Sequence, residues 1–146
     1  MELVKFFVPG IPATAGSKTG FYNPKIKRVI MAPASEKQKP WMAVVRLAAS
    51  EAWEGREILS GPVKLSLCFN LPRPKNHYGT GKNIYVLKHS APFFHTKTPD
   101  LTKVIRAVED ALTGVVWRDD SQVYAQNTIK IYADGRSGVM VTIEWT

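Results

Sequence analysis

The stretch DLTKVIRAVEDALTG, residues 100–114, decides the fold of this chain. At ~100° per residue, its apolar side chains fall on one side of a helix and its charged side chains fall on the other. Asp100 stands where a helix N-cap is expected, and Gly114 stands where a helix commonly ends in the left-handed conformation. We therefore predict an amphipathic helix over residues 101–112 whose apolar side packs on a sheet.

Strand patterns surround this helix. Alternating or continuous apolar residues predict strands at residues 3–8, 26–31, 62–70, 115–117, 121–132 and 138–145. We expect the strand at 26–31 to be the hairpin partner or near neighbour of the opening strand. This order of elements predicts a single α+β domain over residues 1–146, with a mixed or antiparallel sheet and two main helices packed on one face.

A second helix is predicted before the strand at 62–70. Its start falls at Ser35 or in the turn before Pro40, because proline is tolerated only in the first turn of a helix. Apolar residues then recur at helical spacing and form one stripe that would pack on the sheet. The stripe consists of Trp41, Val44, Val45, Ala48 and Ala52.

Composition narrows the class of protein. The chain has 146 residues and a formal net charge of +8, which favours a polyanionic partner. It has no apolar run of the roughly 18 residues that a membrane helix needs, and its first residues do not resemble a signal peptide. We therefore expect a cytoplasmic protein with no membrane association. The one cysteine, Cys68, lies in an apolar strand pattern and is predicted to be a buried thiol.

A long basic loop at about residues 71–98 has no helical or strand periodicity. The interval between Glu57 and Asp100 contains no acidic residue, although it contains several cations and all three histidines. A loop of this length in a compact domain is commonly functional or disordered. The histidines lack the short paired spacing of a zinc site. The aromatic residues of the loop either contact a ligand or pack onto the core.

The doublet Asp119 and Asp120 has two interpretations. Aspartate favours turns, so the doublet alone is compatible with a plain turn. If a strand at 115–117 returned antiparallel beneath the helix, however, it would carry the doublet toward Asp100, which otherwise only caps the helix. Carboxylates brought together in this way repel one another unless a cation lies among them, and Mg²⁺ prefers such oxygen ligands.

Residues 97–123, KTPDLTKVIRAVEDALTGVVWRDDSQV, closely resemble the core of the RusA family of Holliday junction resolvases, which are frequently encoded by phages and prophages. The family pattern is a basic stretch, D-x-D-N-L-x-K, an amphipathic helix ending in D-A-L, a short apolar link and D-D-x-Q-V. The order of strands on both sides of the core also fits. The resemblance implies a RusA-like α+β fold over most of the chain.

The resemblance assigns roles to particular residues. Asp100 matches the first aspartate of D-x-D, and Asp119 and Asp120 match the doublet, so all three are candidate metal-binding and catalytic carboxylates. Arg106 matches the catalytic lysine of the family. Two positions depart from the pattern: Thr102 replaces the second carboxylate of D-x-D, and Lys103 replaces its asparagine. Lys103 and Arg106 are expected to add positive charge at the scissile phosphate.

The implied activity is Mg²⁺-dependent hydrolysis of DNA phosphodiesters, with Mn²⁺ as a possible replacement. Family members are homodimers that make paired, symmetric cuts in four-way junctions. The candidate nucleic-acid-binding residues are Arg73, Lys75, His77, Lys82, Lys88, Lys97, Lys103 and Arg106. Lys25, Lys27 and Arg28 either extend this surface or belong to a plain hairpin. Thr102 motivates an alternative, a branched-DNA-binding protein whose cleavage activity is weak or lost.

Overall fold

A mixed four-stranded sheet carries two α-helices on one of its faces. The computed structural model describes residues 1–14, 18–23, 28–33 and 38–146, with side chains over 1–14 and 40–146. The described strands and α-helices are β1 (Glu2–Pro9), β2 (Lys18–Asn23), β3 (Arg28–Pro33), α1 (Gln38–Ala52), β4 (Val63–Leu71), α2 (Leu101–Leu112), β5 (Val123–Tyr132) and β6 (Gly138–Trp145).

The sheet has the strand order β1-β6-β4-β5. Strand β6 lies antiparallel to both β1 and β4, whereas β4 and β5 are parallel. Strands β2 and β3 pair with each other in a separate two-stranded antiparallel sheet. Because β4 lies inside the sheet, it is the strand that aligns β5, and therefore the segment before β5, with the rest of the fold.

The core lies between the helices and one face of the sheet. Strand β4 alternates between buried and partly exposed residues along its whole length, so its buried side chains face the helices. Helix α2 buries Val104, Ala107, Val108, Ala111 and Leu112 against this face. The predicted α+β architecture is confirmed. None of the described helices has both the length and the apolar character needed to cross a bilayer.

The predicted partner of the opening strand was wrong. Strand β1 pairs with the last strand, β6, with Phe6 opposite Val141. Strand β3 instead pairs with β2, a segment for which no strand was predicted. Residues 26 and 27 of the predicted strand lie outside the described residues. Periodicity identifies a strand, but a partner more than a hundred residues away is chosen by the packing of the whole sheet.

The apolar stripe of α1 is displaced from the predicted one. Trp41 and Val45 are buried as expected, and Ala48 and Ala52 are partly buried, but Val44 is 41% exposed. Ala49 and Trp53 instead continue the buried stripe at the four-residue spacing set by Trp41 and Val45.

The start of α1 agrees with the prediction, whereas the exposure of the cysteine does not. Pro40 lies in the first turn of α1, as predicted, and Ser35 lies outside the described residues. Cys68 is partly exposed rather than buried. It belongs to the alternate set of β4 residues, which face away from the helices.

The predicted strand at residues 115–117 is a tight turn. The backbone N–H of Gly114 donates to the Trp117 carbonyl at 2.7 Å, and the N–H groups of Val115 and Val116 both donate to Leu112. Gly114 adopts φ +88°, which is the left-handed conformation predicted for it. Val116 and Trp117 are fully buried. These residues are apolar because the turn after α2 is buried, and the apolar run does not indicate a strand.

Candidate active site

The carboxylate of Asp100 is exposed and does not cap α2. Its backbone carbonyl accepts from the N–H groups of Lys103 and Val104 at 3.1 Å, so Asp100 is the N-cap residue of α2, as predicted. Within the described residues, its side chain makes no hydrogen bond that caps the first turn of α2. The carboxylate lies instead 3.5 Å from Lys103 Nζ, and both side chains are 60% exposed. The interpretation of Asp100 as a simple side-chain cap does not hold.

Lys130 positions the backbone that precedes Asp100, and sequence reasoning missed it. Its Nζ donates to the carbonyl oxygens of Lys97 at 2.6 Å and Pro99 at 2.5 Å. Lys130 lies opposite the buried Phe69, on the face of β5 that the helices cover. Burial lowers the pKa of Lys130, and the nearby Asp100 charge opposes that shift. A lysine on the core-facing side of a strand was the signal for this role.

The two members of the doublet have different partners. Asp119 is the N-cap of a short 3₁₀ turn over Asp120–Gln122. Its Oδ1 accepts a hydrogen bond from the backbone N–H of Ser121 at 2.9 Å. This hydrogen bond holds the pKa of Asp119 below its ordinary value. Asp119 therefore caps this turn, whereas Asp120 is exposed on the turn itself.

Gln122 fixes this turn and was also missed. Its Oε1 accepts from the backbone N–H groups of Arg118 and Asp119 at 2.9 Å, and its Nε2 donates to the carbonyls of Leu59 and Gly61 at 2.9 Å. Asp119 and Gln122 together form a capping box. The D-x-x-Q spacing was the sequence signal for this arrangement. It determines where Asp120 is presented.

Asp120 lies near the C-terminal end of α2. Burial raises the pKa of Glu109, and the charges of Asp120 and Asp110 raise it further, against a 2.8 Å hydrogen bond from Gln126. Burial also raises the pKa of Asp110, and the charge of Asp120 raises it further. The Arg106 guanidinium lowers this pKa and so opposes both effects. Carboxylates with raised pKa values that repel one another are the groups that a bound cation would relieve.

A single chain does not bring Asp100 to the doublet by the predicted route. Asp100 is the N-cap immediately before α2, whereas the charge of Asp120 acts on the carboxylates of the last turn of α2. The helix between them is about 18 Å long at ~1.5 Å per residue. The returning strand that was expected to close this gap is the turn at 114–117. Across residues 1–14, 18–23, 28–33 and 38–146, no three His, Cys, Asp or Glu side chains form a group that could hold a metal ion.

The two helical cations are exposed, as the amphipathic pattern predicted. Lys103 is paired with Asp100, and Arg106 acts electrostatically on Asp110. Each helical cation therefore lies within electrostatic reach of one carboxylate, and Asp100 also lies near the charge of Lys130. This placement allows both cations to contact an anion bound along the outer side of α2.

The candidate nucleic-acid-binding residues of the long loop fall into two groups. Lys75, Lys82, Lys88 and Lys97 are exposed. Arg73 and His77 are partly buried: Arg73 Nη1 lies 3.2 Å from His77 Nδ1 and donates to the Pro92 carbonyl at 2.7 Å. Arg73 and His77 thus hold the base of the loop together. Lys25 and Lys27 lie outside the described residues, and Arg28 begins β3.

Residues 15–144 match the model of the family described as endodeoxyribonuclease RusA. A relative from Bacillus subtilis (strain 168), the uncharacterized protein YqaN, is 30% identical over 135 residues, which cover 92% of this chain and 91% of the relative. The chain belongs to the RusA endodeoxyribonuclease family. That membership indicates a nuclease of the Holliday junction resolvase class and agrees with the resemblance of residues 97–123.

Proposed function

We propose that this protein is a Mg²⁺-dependent endodeoxyribonuclease that resolves four-way DNA junctions by paired symmetric hydrolysis, and that Mn²⁺ can replace Mg²⁺. The observation that carries the proposal is the pair of exposed carboxylates at the two ends of α2, Asp100 and Asp120, both within the residues that match the family model. With such a substrate, the protein would act in the cytoplasm of a bacterial or phage-infected cell.

The donor chemistry fits a hard divalent cation. Asp100 uses no carboxylate oxygen for helix capping, and Asp120 lies beside two carboxyls whose pKa values are raised. Carboxylate oxygens with water and substrate phosphate are the usual ligands of Mg²⁺. We assign Asp100 and Asp120 as ligands, and we assign Asp119 mainly to the turn because Ser121 occupies its Oδ1.

A homodimer would complete the site. In an isologous twofold contact, if residue i of one copy meets residue j of the other, then j also meets i. Two α2 helices that pack antiparallel about such an axis would bring Asp100 of each copy to Asp120 of the other. This arrangement would form two identical sites from carboxylates that one chain holds at opposite ends of α2. Two sites also fit two symmetric cuts in one junction.

The cations support the same chemistry. Lys103 and Arg106 lie on the exposed side of α2 and would contact the phosphate that is cut, where they stabilise the added negative charge of the transition state. A bound Mg²⁺ would supply an acidified water and further charge stabilisation. Asp100 and Asp120 would orient that cation. The exposed lysines of the loop would hold the DNA backbone, so binding should weaken steeply with salt.

Thr102 supports a second candidate function. It is exposed in the first turn of α2, where the family pattern has a carboxylate. A neutral hydroxyl attracts a divalent cation less than a carboxylate does. A branched-DNA-binding protein with weak or lost cleavage is therefore the alternative.

The test is incubation of the purified protein with an end-labelled immobile four-way junction in Mg²⁺, Mn²⁺ or EDTA, resolved on a denaturing gel. Paired symmetric nicks that require metal are the expected result. An intact junction that the protein nevertheless retards on a native gel would support the alternative. Absence of both cleavage and retardation would reject both functions.

A further inference from the structure

The tip of the long loop, residues 78–88, has a defined backbone. A β-bridge joins Tyr78 to Leu87, Gly79 N–H donates to the Val86 carbonyl at 3.0 Å, and Lys88 N–H donates to the His77 carbonyl at 2.9 Å. A Cβ added at Gly79 would lie 2.7 Å from the Asn83 Cβ, so the two sides of the tip approach closely. The tip is therefore a preorganised projection.

This loop tip presents apolar side chains to solvent. Ile84 is 49% exposed, Tyr85 88%, Val86 57% and Leu87 45%. Four consecutive exposed apolar residues carry a free-energy penalty in water, and such a patch commonly marks a binding surface. The predicted alternative that the aromatic residues of the loop pack onto the core does not hold for Tyr85.

The charge around the loop tip identifies the kind of partner. Lys82 and Lys88 flank the four apolar residues, and no acidic residue occurs between Glu57 and Asp100. An exposed segment that carries lysines and no acidic residue attracts a polyanion, and an exposed aromatic ring within it can stack on any nucleobase. Single-stranded or unstacked DNA has both features, because its backbone is anionic and its bases present flat apolar faces.

The base of the loop is fixed beside the candidate active site. Its returning segment joins β5 through the bridge between Phe94 and Ile131 and through the hydrogen bond from His95 N–H to the Lys130 carbonyl. Lys130 in turn holds Pro99, directly before Asp100. A nucleobase bound by the loop tip would therefore lie at a fixed distance and orientation from a phosphate at Asp100.

We propose that the loop tip is a base-stacking element, and that Tyr85 inserts against unstacked nucleobases at the centre of a bound DNA junction. This inference rests on the proposed function, because it takes a four-way junction as the substrate. It adds a residue that selects branched over linear DNA. Linear duplex offers the same phosphates but no exposed base face at low cost.

Affinities of the full-length protein for a four-way junction and for a linear duplex of equal length, both in EDTA, test the proposal. Tyr85→Ala should weaken junction binding roughly tenfold or more and leave duplex binding unchanged, whereas Tyr85→Phe, which keeps the ring, should bind like the wild type. Tyr124→Ala is the matched control, since Tyr124 is a 66% exposed tyrosine on β5. A 2-aminopurine at the junction centre should change its fluorescence on binding the wild type and not Tyr85→Ala.

Equal affinity of Tyr85→Ala and the wild type for the junction would overturn the proposal, and so would an equal loss for junction and duplex. Sedimentation provides a further check: conversion of a dimer to a monomer by Tyr85→Ala would show that the tip contacts a second copy instead. The two proposals remain separable, because cleavage is absent from this assay. A wild-type protein that binds the junction through Tyr85 but never cuts it would sustain the stacking role and reject the nuclease.

Discussion

The two ends of α2 have opposite electrostatic surroundings. At the N-terminal end one exposed carboxylate, Asp100, is paired with Lys103 and lies near the ammonium of Lys130. At the C-terminal end Glu109, Asp110 and Asp120 act on one another. Acidic groups in the last turn also oppose the helix dipole, whereas Asp100 is favoured by it. The acidic end therefore carries carboxylates that repel one another, and the proposed cation would relieve that repulsion.

Among the described residues, neither end of α2 is by itself a complete metal site. The N-terminal end has one carboxylate without an acidic neighbour in the adjoining first turn of α2, and the C-terminal end has carboxylates that repel one another. Within the described first turn of α2, the N-terminal end lacks further carboxylates, which the C-terminal end has. In a dimer that joins the two ends, Asp100 of one copy and Asp120 of the other would bind the same cation. Variants at the two ends test whether these carboxylates act together.

The largest effect is expected from removing either candidate ligand. Asp120→Asn and Asp100→Asn should each reduce junction cleavage at least about 100-fold, since even residues that only support metal ligands contribute ~10- to 100-fold. Junction binding should be retained or tighter, because a negative charge near phosphate is removed. Initial cleavage rates and native-gel affinities measure the two effects.

Asp134→Asn is the matched control, because Asp134 is an exposed aspartate in the connection between β5 and β6. It should cut at the wild-type rate. Equal loss of binding and cutting in Asp120→Asn would count against a role as metal ligand.

Mixing the two inactive variants tests whether the two ends of α2 meet across a dimer. After subunit exchange, a heterodimer of Asp100→Asn and Asp120→Asn would contain one doubly altered site and one intact site. Nicking should therefore return to about a quarter of the wild-type level, as single rather than paired cuts. The two variants are exchanged, incubated with junction and Mg²⁺, and compared with each variant alone. If both ligands came from one chain, the mixture would remain as inactive as its components.

A smaller effect is expected at Lys130, which supports only the N-terminal end. Lys130→Met keeps the aliphatic stem but removes the hydrogen bonds to the Lys97 and Pro99 carbonyls. We expect kcat to fall roughly 10-fold with KM and junction affinity unchanged, and Lys130→Arg to restore part of the rate. Lys64→Met is the control, because Lys64 pairs with Glu144 on the other face of the sheet. A rise in KM without a fall in kcat would show a binding role instead.

The smallest effect concerns stability near the same end. His95 is 8% exposed, and burial followed by the Lys130 charge lowers its pKa below the ordinary value of 6.5. The unfolded chain therefore binds a proton more readily than the folded chain as pH falls below that value. Stability contributed by neutral His95 is present above about pH 6.5 and is lost as pH falls, by at most ~1.4 kcal/mol per pH unit.

Replacement of this histidine removes the titrating group. His95→Gln should flatten the dependence of unfolding free energy on pH between about 5 and 7, measured by urea denaturation. His89→Gln, at an exposed position in the loop, should leave that dependence unchanged. An unaltered slope in His95→Gln would assign the pH dependence to other groups.

Local sequence determined much of this protein. The bounds of α2, the left-handed Gly114, the buried alternation of β4 and the long loop all follow from residues a few positions apart, whose spacing and capping chemistry act within one element. The D-D-x-Q motif likewise contains its own capping box. These features could be predicted because their physical causes are local.

Only the tertiary structure decided where the candidate ligands lie. The pairing of β1 with β6, the turn at 114–117 and the partly exposed Cys68 depend on which surfaces the whole chain buries. The position of Asp100 depends on Lys130, 30 residues later in the chain, whose contacts with the Lys97 and Pro99 carbonyls require β5 in its place in the sheet. Sequence thus identified the carboxylates, whereas packing placed them at opposite ends of one helix.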